Sequence, residues 1–224
     1  MAVRRPTNAL ALAVLSLLAE RPMHPYEMSS TLRERHKEES IRLNYGSLYS
    51  VVESLEKKGL IAARETVREG RRPERTVYEI TSDGEIVMTD WLSELLSEST
   101  PQFTDFEAAL SLIATLPPDD VVPLLERRLS ELTLQSRAYD AIRQALPDGF
   151  PRLFVLESDY QEAVRAAERE FVAALLADLR TETFEGISIW RRMHELRAEG
   201  ADPQEAERRL VEEFPELGVL MSGP

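Results

Sequence analysis

The chain has 224 residues, 43% of them hydrophobic and 30% charged, and a formal net charge of −13. That composition is globular rather than disordered, and the length suits one or two domains. With no cysteine and only three scattered histidines (His24, His36 and His194), disulfides, thiolate metal sites, iron–sulfur clusters and cysteine nucleophiles are excluded, and no metal or cofactor is expected.

Arg4 and Arg5 precede a short apolar run, Ala9 to Ala19, in the manner of a secretory signal. No small-residue cleavage site follows, Glu20-Arg21-Pro22 closes the run, and it is too short to span a bilayer. The run is therefore predicted to be a core helix of a soluble, cytoplasmic protein without a membrane partner, starting at Thr7 with Thr7 or Asn8 as its cap. Pro22 and Pro25 break it, and a second helix is predicted from near Pro25, a first-turn residue, through Arg35. Asn44 is a good cap for a third helix, Tyr45 to Lys58. Leu48, Val51 or Val52, and Leu55 form its buried stripe, and Gly59 follows its end.

The period then changes. Leu60 to Val67 and Arg75 to Thr81 read as two strands joined by the charged turn Glu69-Gly70-Arg71-Arg72-Pro73-Glu74. Thr81-Ser82-Asp83-Gly84 caps a fourth helix carrying Trp91. Ser97 to Pro101 is the predicted domain joint, and everything beyond it reads as helix. One segment spans Phe103 to Leu116. A longer one starts at Asp119 or Asp120 and reaches Leu146, with Val122, Leu125, Leu129, Leu132, Tyr139, Ile142 and Leu146 as its stripe. Another runs from near Pro151 to Leu179, with Leu153, Leu156, Tyr160, Ala163, Ala167, Phe171 and Leu175 on one face. It would be about 40 Å long, more than a small monomer can bury, so the two long helices suggest an antiparallel dimerisation unit, with a simple intramolecular hairpin as the alternative. Two shorter amphipathic pieces, Ile187 to Leu196 and Pro203 to Phe214, complete the tail. The expected fold is mainly α with a small β-hairpin. Its expected parts are residues 1–98, residues 99–181 for dimerisation, and a helical extension, residues 182–224, of no assigned role.

The net charge conceals a split. Residues 1–82 carry 14 Lys and Arg against 11 Asp and Glu, and the remainder carries 13 against 29. Differing solvated faces account for such a split; so does an N-terminal part that meets an anion while an acidic remainder suppresses wrong orientations. Three short helices followed by a hairpin make a winged helix-turn-helix, with the third helix in the DNA groove. Asn44, Tyr45, Gly46, Ser47 and Tyr49 stand at the start of that helix, where side-chain donors and acceptors and the helix terminus meet bases and phosphates. Arg71, Arg72 and Arg75 occupy the wing tip, suited to phosphate or minor groove. Tyr26 either contacts phosphate or packs on the third helix. Each residue also has a plainer reading: Tyr49 as core, Ser47 and Asn44 as helix-start residues, the arginines as a solvated turn. Their joint occurrence favours nucleic acid.

Met23-His24-Pro25-Tyr26-Glu27-Met28, Leu43-Asn44-Tyr45-Gly46-Ser47-Leu48-Tyr49, Leu55-Glu56-Lys57-Lys58-Gly59-Leu60-Ile61, and Gly70-Arg71-Arg72-Pro73-Glu74-Arg75 with Tyr78-Glu79-Ile80-Thr81-Ser82-Asp83-Gly84 occur in that order. Over residues 8–96 this series resembles the PadR family of bacterial transcriptional regulators. The helices to Thr181 resemble its long subfamily in length and pattern. Pro25 stands where the family often has Gly, and Tyr45 where it often has Pro or Ser. The resemblance implies a homodimer, joined through the C-terminal helices, on a pseudo-palindromic double-stranded DNA operator. It further implies repression relieved by a small aromatic or lipophilic effector, for which Trp91, Phe103, Phe106 and Tyr139 are pocket candidates. A glycine-rich phosphate loop, a nucleophile elbow and a zinc-protease helix are all missing from the sequence, so an enzyme is not expected. A winged-helix adaptor that binds protein instead of DNA is the competing reading; it has no need of salt-sensitive DNA affinity.

Overall fold

The computed structural model describes residues 8–37, 45–67 and 75–217. The chain divides into two compact units, Met1–Gln102 and Phe103–Pro224. Among the described residues it is mainly helical with one antiparallel two-stranded sheet.

In the first unit α1 is Ala9–Glu20. Its start is fixed by Asn8, whose Oδ1 accepts from the Leu10 amide at 2.9 Å. Helix α2 is Pro25–Glu34. Pro25 sits where no amide donor is needed, and the His24 Nδ1 accepts from the Glu27 amide at 2.9 Å. Helix α3 is Tyr45–Lys57. It ends where Gly59 takes a left-handed φ of 71° and the Leu60 amide reaches back to the Leu55 carbonyl at 3.0 Å. Strands β1 (Ile61–Val67) and β2 (Arg75–Ile80) pair Ile61 with Ile80 and Ala63 with Tyr78, with a register shift between Ala63 and Glu65. Met23 and Tyr78 exchange both backbone hydrogen bonds, so the link between α1 and α2 borders β2.

Helix α4 is Ser82–Ser97. Thr81 is the knot at its start. Its Oγ1 accepts from the Gly84 amide at 3.1 Å and donates to the Gly59 carbonyl at 2.7 Å. The core gathers Leu10, Val14, Leu15, Met23, Met28, Leu32, Leu48, Val52, Leu55, Leu60, Ile61 and Trp91. A continuous apolar set from the four helices and β1 makes burial of the α1, α3 and α4 faces its main stabilising term.

In the second unit the segment expected as one helix from Phe103 to Leu116 is broken. Helix α5 is only Asp105–Ser111, and a 3-10 turn, Ile113–Thr115, follows it. Thr104 sets the start by accepting from the Glu107 amide at 3.1 Å. The turn is held from outside: Trp190 donates to the Leu116 carbonyl at 2.7 Å, and the His194 Nε2 lies 3.0 Å from the Ala114 carbonyl oxygen. Helix α6 is Pro118–Ala145, and α7 is Leu156–Thr181, preceded by a 3-10 turn, Arg152–Phe154. The pairs Arg180–Glu126, Arg128–Glu168, Arg165–Gln135 and Tyr139–Asp159 run in opposite sequence directions, so α6 and α7 are antiparallel. Helices α8 (Ile187–Ala198) and α9 (Pro203–Glu213) follow. Arg192 reaches Glu195 and Glu199 on its own side and Glu213 on α9. Those carboxylates hold its guanidinium far above its ordinary pKa.

The apolar stripe read along α7 is not the face that the single chain buries. Val172, Leu176 and Leu179 are the buried residues, together with Val121, Leu125, Leu132 and Trp190. Leu153, Leu156, Tyr160 and Phe171 are exposed, Tyr160 to 70%. The buried set lies about a third of a turn around the helix from that stripe. Helix α7 packs only its C-terminal half into this core, and the more regular apolar stripe remains on the surface of the single chain. Ile142 on α6 is likewise exposed. Among the described residues no helix is long and apolar enough to cross a membrane.

Candidate nucleic-acid interface

Helix α3 divides cleanly by face. Leu48, Val52 and Leu55 are buried and fix it to the core. Gly46, Ser47, Tyr49 and Ser50 are exposed, Tyr49 to 50%. The Ser50 hydroxyl donates to the Gly46 carbonyl at 3.0 Å, satisfying a backbone group of the first turn. The first turn of α3 thus presents small and polar groups outward from a rigid base, which is the geometry a groove-reading helix needs.

Tyr26 lies at the start of α2 and is 56% exposed. Tyr26 and Tyr49 line one cavity of about 250 Å³ with His24, Val52, Glu53, Thr76 and Tyr78. Tyr26 is therefore a surface ring bordering α3 rather than a core residue, and the same holds for Tyr49. On the other side of α3, Gly46, Ser47, Ser50 and Ser54 share a shallow depression with Asn8 at the start of α1. The approach of Asn8 to the first turn of α3 is tertiary, and no local pattern announces it.

Asn44, Arg71 and Arg72 lie outside the described residues. Tyr45 opens α3 and Arg75 opens β2, and their side chains are outside the described set. Strands β1 and β2 bring the two ends of the arginine-rich turn side by side, with Val67 opposite Arg75.

Of the four aromatic pocket candidates, Trp91 belongs to the first unit and Phe103, Phe106 and Tyr139 to the second. Trp91 is 3% exposed in the core of the first unit. Phe103 is 89% exposed. Phe106 lies 3.7 Å under the Arg128 guanidinium carbon and lines an apolar cavity of about 370 Å³ with Leu110, Ile113, Leu124 and Leu125. Tyr139 does not line that cavity; its hydroxyl donates to Asp159 Oδ1 at 2.6 Å. That bond and the Arg152 and Arg143 guanidiniums hold the Asp159 carboxyl below its ordinary range, and the same bond pushes the Tyr139 phenol up. The Asp159 contribution is present above the ordinary carboxylate pKa and is lost as pH falls through its depressed value. The Tyr139 contribution is present below the ordinary phenol pKa and is lost as pH rises through its raised value. Tyr139→Phe should therefore lower the melting temperature at neutral pH, with the difference vanishing in acid; thermal scans across pH check this, and a constant difference down to full carboxylate protonation would exclude the assignment. Among the described residues no group of three or more histidines and carboxylates could hold a metal ion.

Residues 14–90 match the model of the transcriptional regulator PadR-like family. That family is one of transcriptional regulators, not of enzymes. No curated protein matches the chain. Among solved structures, Bacillus subtilis PadR in complex with operator DNA superposes with a TM-score of 0.58 at 18% identity, over 77% of this chain and 99% of that one. The same protein in complex with p-coumaric acid gives 0.60 at 16% identity over the same shares. The PadR-like regulator BC1756 from Bacillus cereus gives 0.51 at 16% identity, over 80% of this chain and 99% of that one. These likenesses establish a shared fold: an N-terminal winged helix-turn-helix followed by C-terminal helices. They reach the full length of each relative and leave part of this chain without a counterpart.

Proposed function

We propose that this chain, whose residues 14–90 match the PadR-like transcriptional-regulator family, is a DNA-binding transcriptional regulator working as a homodimeric, sequence-specific repressor released by a small molecule. The observation that carries the DNA-contact assignment is the division of α3: Leu48, Val52 and Leu55 sink into the core while Gly46, Ser47 and Tyr49 are exposed. Asn44, Tyr45, Gly46, Ser47 and Tyr49 read the groove, Tyr26 supports them from α2, and Arg71, Arg72 and Arg75 hold phosphates or minor groove.

The exposed stripe of α7 supports the dimer. Leu156, Tyr160, Val164 and Phe171 lie on one face of that helix, all half-exposed or more in the single chain. A face of that kind pairs with its own copy about a two-fold axis, and a two-fold protein reads a pseudo-palindromic site. For the effector, the p-coumaric acid bound by Bacillus subtilis PadR makes a small aromatic acid the first class to try. The cavity beside Phe106, with Arg128 over the ring, is the first place to look.

The test is binding of the purified protein to DNA upstream of its own coding region and to selected genome fragments, at two salt concentrations against random competitor. Specific binding of two protomers with a steep salt dependence is expected. Arg72→Ala with Arg75→Ala should weaken binding across all sequences and flatten the salt slope, by roughly one unit for each phosphate no longer neutralised. Ser47→Ala or Tyr49→Phe should change sequence preference and leave the slope in place. Equal losses and unchanged slopes in both sets would overturn the division of roles. No specific fragment at all would favour the adaptor.

A further inference from the structure

The cavity between α2, α3 and β2 combines two of the proposed DNA-contact tyrosines with groups to which that reading gives no role. Its lining brings three phenol rings together from three elements: Tyr26 from α2, Tyr49 from α3 and Tyr78 from β2. A carboxylate, Glu53, lines the same space. Glu53 has no ion-pair partner among the described residues. Burial, together with the charges of Glu56 and Glu53, pushes the Tyr78 phenol up, so these carboxylates make a negative field at that ring. His24, which also lines the space, accepts from the Glu27 amide through Nδ1. The described lining holds no lysine or arginine.

Aromatic faces around a carboxylate recognise an organic cation. A quaternary ammonium is attracted by the rings and the charge together, and a neutral molecule of the same shape gains only the packing. The site is held in place before anything binds. Tyr78 is fixed by its two backbone bonds to Met23, and Tyr49 stands one residue beyond the buried Leu48. A volume of about 250 Å³ suits a small quaternary ammonium compound rather than a drug-sized one. We infer that this cavity binds a small organic cation of the quaternary ammonium class, and that because Tyr26 and Tyr49 are its outer walls, the bound cation competes with operator DNA. The second half of this inference rests on the DNA-binding reading given above; the first half stands without it.

The experiment titrates the full-length protein with choline and with 3,3-dimethyl-1-butanol, its uncharged isostere, by calorimetry, and then titrates choline into the operator complex. Choline is expected to bind about tenfold more tightly than the alcohol. Glu53→Gln, verified as folded by circular dichroism, should remove most of that preference. Glu56→Gln, a change outside the cavity wall, should keep most of it. Choline should lower operator affinity in proportion to its own occupancy. Equal binding of choline and the alcohol, or equal choline binding by the protein and Glu53→Gln, overturns the cation site. Selective choline binding with an unmoved operator affinity overturns the competition. Choline selectivity in a protein that binds no DNA fragment specifically supports the cation site while removing the regulator reading, so the two failures are separable.

Discussion

Gly84→Ala should cripple the N-terminal unit, lowering its stability by about 3 kcal/mol or more, which corresponds to roughly 12 °C or more in melting temperature for a domain of this size. Gly84 is buried in the first turn of α4. A Cβ placed there would fall 2.1 Å from the Leu60 carbonyl oxygen and 2.8 Å from Ile80 Cγ1. The first of these is backbone, and backbone at that position cannot yield cheaply. The Leu60 carbonyl already accepts from the Thr81 amide at 3.1 Å, and the Leu60 amide closes the end of α3. Moving Leu60 to admit a methyl group would disturb the α3 cap, the start of β1 and the cap of α4 together. The effect comes from space and not from helix propensity, since alanine is the better helix former. Ser82→Ala, two residues away and exposed, is the control and should shift stability by no more than about 0.5 kcal/mol. Thermal unfolding of the two variants checks this. A Gly84→Ala protein as stable as the parent would mean that α4 is not seated on the end of α3 as described.

The same glycine shows what could be read in advance. Thr81-Ser82-Asp83-Gly84 was legible as a helix start because capping is local chemistry, decided by a hydroxyl and an amide three residues apart. That Gly84 also lies against Leu60 depends on a chain passing from 24 residues earlier, and nothing in the four-residue signal reports it. The pattern holds elsewhere. Asn8, Pro25 and Gly59 mark helix ends at or next to the positions the sequence suggests. The backbone exchange between Met23 and Tyr78, and the breaking of the Phe103–Leu116 segment at Leu112, follow from partners distant in sequence: β2 for the first, Trp190 and His194 for the second. At the candidate site, the polar start of α3 was legible because outward and inward positions separate at helical spacing. The enclosure of Tyr26, Tyr49, Tyr78 and Glu53 around one space was not, because it joins a helix start, a helix middle and a strand. The surroundings of the aromatic pocket candidates were not legible for a related reason. Aromatic residues at helical spacing report burial on some surface without saying which, and Trp91, Phe106 and Tyr139 found three different surroundings.

The apolar stripe of α7 is more than one chain can bury, as its length and spacing suggest, and it carries the other large effect. Tyr160→Asp combined with Phe171→Asp should convert the proposed dimer to a monomer without unfolding it. Both side chains are exposed in the single chain, 70% and 51%, and neither belongs to the buried cluster of Val172, Leu176, Leu179 and Trp190. The monomer therefore loses no core packing by their replacement. In the dimer, each substitution would place a carboxylate where an apolar side chain meets its copy, and the two-fold axis repeats every substitution. Burying unpaired carboxylates costs far more than the apolar contacts they replace. Sedimentation or light scattering should report a single-chain mass, with circular dichroism and the melting temperature close to those of the parent. Operator affinity should fall by about 10²- to 10⁴-fold, because two tethered winged helices bind their half-sites with an effective concentration that a free pair lacks. Binding to an isolated half-site should change little, since the face of α3 is untouched. A doubly substituted protein that still sediments as a dimer would assign the interface to another surface and leave the α7 stripe unexplained. One that becomes a monomer yet keeps full operator affinity would break the link between the two-fold axis of the protein and the symmetry of its DNA site.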